Sequence, residues 1–123
     1  MIHHVQLACP RGSEETSRGF YGDVLGMVEV AKPPRLAGRG GCWFRGGPTS
    51  LPGVELHLGV EEPFSPARKA HPGILVDDLE TVADRLRAAG HAVEYDEDFP
   101  GMRRFYCADP HGNRLEFLEP LDA

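Results

Sequence analysis

This sequence has no apolar stretch near the roughly 20 residues that a membrane-spanning helix needs, so a membrane partner is not expected. It is short of basic charge. Lys and Arg number 13 against 19 Asp and Glu, for a net charge of -6. That balance argues against nucleic acid or an anionic lipid surface, which favour a basic patch. Clusters such as Arg103-Arg104 are too short to reverse it. Cysteine is sparse: Cys9, Cys42 and Cys107 are odd in number, fit no zinc-module spacing, and sit in apolar strand-like runs. They read as buried free thiols in a reducing compartment. The first residues go straight into a strand, with no signal-peptide pattern, so a cytoplasmic protein is expected. A chain of 123 residues suits one domain, 1–123, with a core that needs no staples.

What is present is alternation. Residues 2 to 9 read as a strand. Ser13-Glu14-Glu15-Thr16 reads as a helix start, with Ser13 as N-cap and acids in the first turn. Phe20 and Val24 share a helical face, and Gly26 is placed as the C-cap. Met27 to Ala31 is a strand, Lys32 to Gly41 a loop, and Gly41 to Arg45 a strand. A turn-rich hairpin connection from Gly46 to Gly53 leads into a strand at Val54 to Val60. Module 1 therefore spans about 1–61 and reads β-α-β-β-β.

A Pro-containing linker covers about 61–69. Module 2, about 70–123, repeats the order. Residues 71 to 76 are a strand, and Asp77 or Asp78 caps a helix with Glu80 placed for a capping box. Leu79, Val82, Ala83 and Leu86 follow helical spacing, and Gly90 ends the helix. His91 to Tyr95 and Arg103 to Ala108 are strands. Asp109 to Asn113 turns into the last strand, Asn113 to Glu119. The expected fold is α+β: two βαβββ modules forming a curled sheet cleft, with helices on the outer face.

Side chains alternate between the two faces of a strand. Leu115 and Phe117 then share one face and Glu116 takes the other. Val54, Leu56 and Leu58 oppose Glu55 and His57; Val5 and Leu7 oppose His4 and Gln6; Ile74 and Val76 oppose His71. A carboxylate facing away from so apolar a strand is costly if buried alone. Two imidazoles and two carboxylates on polar strand faces make a candidate metal site: His4, Glu55, His71 and Glu116. Gln6, Trp43, His57, Arg104 and Tyr106 fall on the same uncovered face and are the candidate substrate-binding residues. Arg104 offers a planar fork and Tyr106 a phenol donor for a carboxylate or enolate. His3, His91 and His111 read as structural or solvated, and Asp109 and Asn113 as turn-forming.

The segments IHHVQLACP, FYGDVLGM, GVELHLGV, HPGILVDDLETVADRLRAAG and FYCADPHGNRLEFLE, with their FYxxVLG and DPxGNxxEF patterns, resemble the vicinal oxygen chelate superfamily. That superfamily includes glyoxalase I, the extradiol dioxygenases and the bleomycin resistance proteins. The resemblance covers essentially the whole chain. It implies metal ligands at His4, Glu55, His71 and Glu116, the same residues that alternation selects. Ala8 and Gly59 stand where glutathione-using members carry Arg and Asn, so a glutathione-linked substrate is not expected.

Two nitrogen and two oxygen donors suit Ni, Co, Mn, Fe or Zn. Such an ion stabilises an enediolate or enolate, and Glu55 or Glu116 is the candidate catalytic base. The main expectation is a metal-dependent lyase or isomerase of glyoxalase type acting on a small vicinally oxygenated substrate. The alternatives are an Fe(II) extradiol-type ring-cleaving dioxygenase and a non-catalytic, resistance-type drug- or metabolite-binding protein. The resemblance also implies a homodimer, with sites closed either within one chain or by module exchange.

Overall fold

A computed structural model describes residues 1–48 and 50–122. The elements are β1 (Val5–Cys9), α1 (Glu14–Ser17) running into a π-helical segment (Arg18–Val24), β2 (Val28–Val30), α2 (Pro34–Ala37), β3 (Cys42–Arg45) and β4 (Glu55–Val60). Then follow β5 (Gly73–Leu75), α3 (Leu79–Ala88), β6 (Glu94–Asp96), β7 (Met102–Ala108) and β8 (Arg114–Pro120). The strand-and-helix order read from the sequence reappears twice, with α2 as an addition inside the expected Lys32–Gly41 loop. Pro34 opens α2, where a missing N–H costs nothing. The Gly46–Gly53 connection is described except at Thr49, which lies outside the described residues. None of the described helices is long and apolar enough to cross a membrane.

The strands form two separate four-stranded mixed sheets, ordered β1-β4-β3-β2 and β5-β8-β7-β6. In each, the first and last strands pair in parallel and the other pairs are antiparallel. This corrects the expected curled sheet cleft. The sheets are not joined into one, not closed and not strongly curled. β1 and β2 are the edges of one sheet, β5 and β6 of the other. The physical reason lies in the core. Leu56, Leu58 and Phe44 from the first sheet and Phe105, Leu115 and Phe117 from the second all enter one apolar cluster, which also takes in Phe20, Tyr21, Leu79 and Leu86. Burying those faces together satisfies both sheets without bending either around a cleft.

The helices also depart from a plain outer layer. The segment after α1 is π-helical, with the Leu25 N–H donating to the Phe20 carbonyl at 2.9 Å and the Met27 N–H to the Tyr21 carbonyl at 3.0 Å. Both Phe20 and Tyr21 are buried, and both reach the second half of the chain: Phe20 meets the His91 ring edge-on, and the Tyr21 hydroxyl donates to Asp109 at 2.6 Å. Ser13 is not a side-chain cap; its hydroxyl donates to the Pro10 carbonyl. Asp78 does cap α3, accepting from the Thr81 N–H at 3.1 Å. Glu80 accepts from Arg103 and Tyr95 instead of closing a capping box.

Asn113 and Asp109 tie the halves together. The Asn113 side-chain amide donates to the Ala8 carbonyl (2.7 Å) and to Asp109 (3.0 Å), and its oxygen accepts from the Ala67 N–H (3.0 Å). Asp109 accepts further from the backbone N–H groups of His111 and Asn113. Asn113 is fully buried, so Asn113→Ala strands several partners at once. It is expected to lower stability by about 2–4 kcal/mol, read as a shift of the urea midpoint.

Candidate functional site

The first cluster is built on β4. Leu56 and Leu58 enter the core, so Glu55 and His57 emerge on the opposite face. Register puts Trp43 of β3 and Gln6 of β1 on either side of His57. The His57 ring is only 4% exposed. It lies between Trp43, 4.0 Å away and within 5° of parallel, and His4, 3.9 Å away at 15°. Its Nε2 sits 2.7 Å from Glu55 Oε2. A carboxylate only accepts, so His57 Nε2 carries the proton. That hydrogen bond is the main reason Glu55 is held below the usual carboxylate range, with the charges of His3, His57 and His4 adding to it. His57 itself is pushed down, chiefly by burial, against the opposing pull of Glu55.

The second cluster is built on β8. Leu115 and Phe117 are in the core, and Glu116 faces the other way, opposite Tyr106 of β7 and beside Gly73 of β5. Glu116 is 6% exposed, yet both of its oxygens are engaged. Oε1 lies 2.9 Å from His71 Nε2, and Oε2 accepts from Arg104 at 3.0 Å. Arg104 also donates to Asp96 at 3.2 Å. The Glu116 hydrogen bond is the main cause that raises the Arg104 guanidinium above its ordinary value. Among the described residues the Arg104 Nε is buried without a partner, and the guanidinium lies near the rings of Phe99 and Tyr106.

The two imidazoles differ in their partners. His71 Nδ1 lies 2.7 Å from the Lys69 carbonyl oxygen and Nε2 lies 2.9 Å from Glu116 Oε1. Both partners can only accept, so a proton on each ring nitrogen satisfies both contacts. A metal-ligating histidine likewise has its second nitrogen donating to a carbonyl, so loss of the Nε2 proton would leave His71 oriented as a ligand.

Every sequence-selected residue thus falls into one of two sets: His4, Gln6, Trp43, Glu55 and His57, or His71, Arg104, Tyr106 and Glu116. The sets do not merge. Among the described residues, no three His, Cys, Asp or Glu side chains are grouped to hold a metal ion. Two sheets that are not strongly curled do not bring their polar faces to one point. Sequence reasoning missed Asp96, Phe99 and Arg114. Strand alternation points to Arg114, two residues before Glu116 on the same face; no period singles out Phe99, which lies in a loop. The three thiols are buried, and burial pushes Cys42 and Cys107 up to about 11, which leaves them poor nucleophiles.

The Glyoxalase/Bleomycin resistance protein/Dioxygenase superfamily model matches residues 1–117. The chain belongs to that superfamily. It is similar to a glyoxalase family protein from Bacillus anthracis, with 45% identity and a TM-score of 0.91 over 98% of this chain and 95% of that one. It shares its fold with a glyoxalase/dioxygenase from Nostoc punctiforme, at 22% identity and a TM-score of 0.74 over 99% and 92% of the two chains. It shares it also with an antibiotic binding protein from a Streptomyces species, at 23% identity and a TM-score of 0.70 over 98% of each. No curated protein matches the chain.

The His57–Glu55 pair sets a pH dependence. His57 is held below its ordinary value of 6.5 and Glu55 below its ordinary 4.5. For each, the unfolded chain binds the proton more readily than the folded one. Stability therefore falls as pH drops past about 6.5, and falls further below about 4.5. Urea denaturation at pH 7.5 and pH 5.5 should show this loss, and His57→Phe should make the difference between the two pH values smaller.

Proposed function

We propose that this protein is a metal-dependent lyase or isomerase of glyoxalase type, acting on a small vicinally oxygenated substrate that is not glutathione-linked. The observation that carries this reading is the pairing of His71 with the buried carboxylate of Glu116, Nε2 2.9 Å from Oε1, with Nδ1 2.7 Å from the Lys69 carbonyl. A cation that displaced the Nε2 proton would meet one nitrogen and one oxygen donor already oriented. His71 and Glu116 would supply one nitrogen and one oxygen donor, and His4 and Glu55 the other two. The donor chemistry fits Ni, Co, Mn, Fe or Zn. Each pair alone is too few for such an ion, so the full set needs both pairs, with the second supplied by another copy through module exchange.

When bound, the ion acts as a Lewis acid that favours an enediolate or enolate. The chain's own groups do the rest. Arg104 fixes one oxygen of Glu116 and so orients its carboxylate. Glu55 is held by one hydrogen bond, to one oxygen, which leaves the other oxygen free to take a proton from a substrate carbon. Trp43 and Tyr106 wall the two faces. Over Gly59 the space is filled by the Gln6 amide, which a Cβ at that position would meet; this supports a substrate without the tripeptide.

Elemental mass spectrometry of the native protein beside Glu116→Ala tests the metal. Near-stoichiometric metal that falls sharply in the variant is expected. No metal in either after reconstitution would sink the metalloenzyme reading and favour a binding protein. Mixing His4→Ala with Glu116→Ala chains tests the exchange. A shared site regenerates one intact metal set in each mixed dimer, so a fully exchanged 1:1 mixture should hold about a quarter of the wild-type content, whereas sites closed within one chain regenerate none.

A further inference from the structure

We propose that Arg114 and Arg68 form an anion clamp beside Glu116, and that the substrate carries a carboxylate in addition to its vicinal oxygens. The word substrate rests on the glyoxalase-type reading above; the clamp does not. Arg114 lies two residues before Glu116 on β8, so both side chains stand on one face, about 7 Å apart along the strand. Its guanidinium lies over the Tyr106 ring, 3.9 Å from the centroid. Tyr106 in turn stands directly opposite Glu116. The ring fixes Arg114 in place by a cation–π contact and leaves its N–H groups free at the rim.

Arg68 is brought there by the backbone. The Arg114 N–H donates to the Ala67 carbonyl at 2.9 Å, and the Asn113 side chain accepts from the Ala67 N–H. The residue after Ala67 is thereby held against the start of β8. Arg68, Arg114, Tyr106 and Glu94 line one cavity of about 340 Å³. Among the described residues, no carboxylate lies within ion-pair distance of either guanidinium, whereas Arg104 is held between Glu116 and Asp96. Glu94 is the one acid of the cavity lining, against two guanidinium groups. In a chain of net charge -6, a place where positive charge exceeds negative beside a polar, half-buried strand face selects an anion. A planar carboxylate matches the guanidinium fork.

The test uses 3,4-dihydroxybenzoate, which carries a vicinal oxygen pair and a carboxylate at opposite ends of a ring, and its neutral counterpart 3,4-dihydroxybenzamide. Both are titrated calorimetrically into the full chain, metal-free and after loading with Co2+. The acid should bind about tenfold more tightly than the amide in either state, the scale of one charge-assisted hydrogen bond. Arg114→Gln should bring the two affinities together, Arg68→Gln should reduce the preference in part, and Arg114→Lys should retain most of it. Circular dichroism confirms that each variant is folded. Equal affinities in the wild type, no binding of the acid, or a preference untouched by Arg114→Gln overturns the clamp. A chain that holds no Co2+ but prefers the acid keeps the clamp and sinks the metal reading. A chain that holds Co2+ without discriminating sinks the clamp alone.

Discussion

The buried amide of Asn113 is the contact on which the rest of this structure depends. It bonds to β1 through Ala8, to the linker through Ala67, and to the turn through Asp109, which also takes the Tyr21 hydroxyl. These groups come from four separate stretches of chain, and all are satisfied away from water. Buried polar groups tolerate few alternative arrangements, because any slip leaves donors or acceptors unpaired. The knot therefore sets where β8 begins. Where β8 begins decides which residues alternate outward, and so places Arg114 and Glu116 on the polar face and Leu115 and Phe117 in the core.

On those polar faces the same two residue types are used in different settings. His57 donates to Glu55, is covered by Trp43 and His4, and is pushed toward the neutral form by burial. His71 faces acceptors with both ring nitrogens, Glu116 on one side and the Lys69 carbonyl on the other. The difference arises outside the residues themselves. It comes from an indole lying over one ring and a backbone oxygen reaching the other.

Membership in the Glyoxalase/Bleomycin resistance protein/Dioxygenase superfamily explains the duplicated strand order and the polar strand faces. It does not by itself select a reaction, since one fold carries unrelated sites. The chemistry of this chain is set locally: a histidine two residues after Glu55 grips the carboxylate, and an arginine two residues before Glu116 rests on Tyr106.

Much of this was legible in the order of residues. A strand shows its two faces as a period of two, so the order of residues alone assigns Glu55, His57 and Glu116 to polar faces. Asp78 and the spacing of Leu79, Ala83 and Leu86 marked α3 in the same way, because capping and helical periodicity are local. The π-helical segment was not legible, since Phe20 and Tyr21 adopt it to reach partners far along the chain. Nor was the sheet arrangement: alternation says which face is apolar but not what covers it, and a common core kept two open sheets where a curled cleft was expected. The two partners of His71, the covering of His57 and the meeting of Arg68 with Arg114 were likewise decided by tertiary structure. Each depends on a contact between segments distant in sequence, and a strand's period carries no information about its distant neighbours.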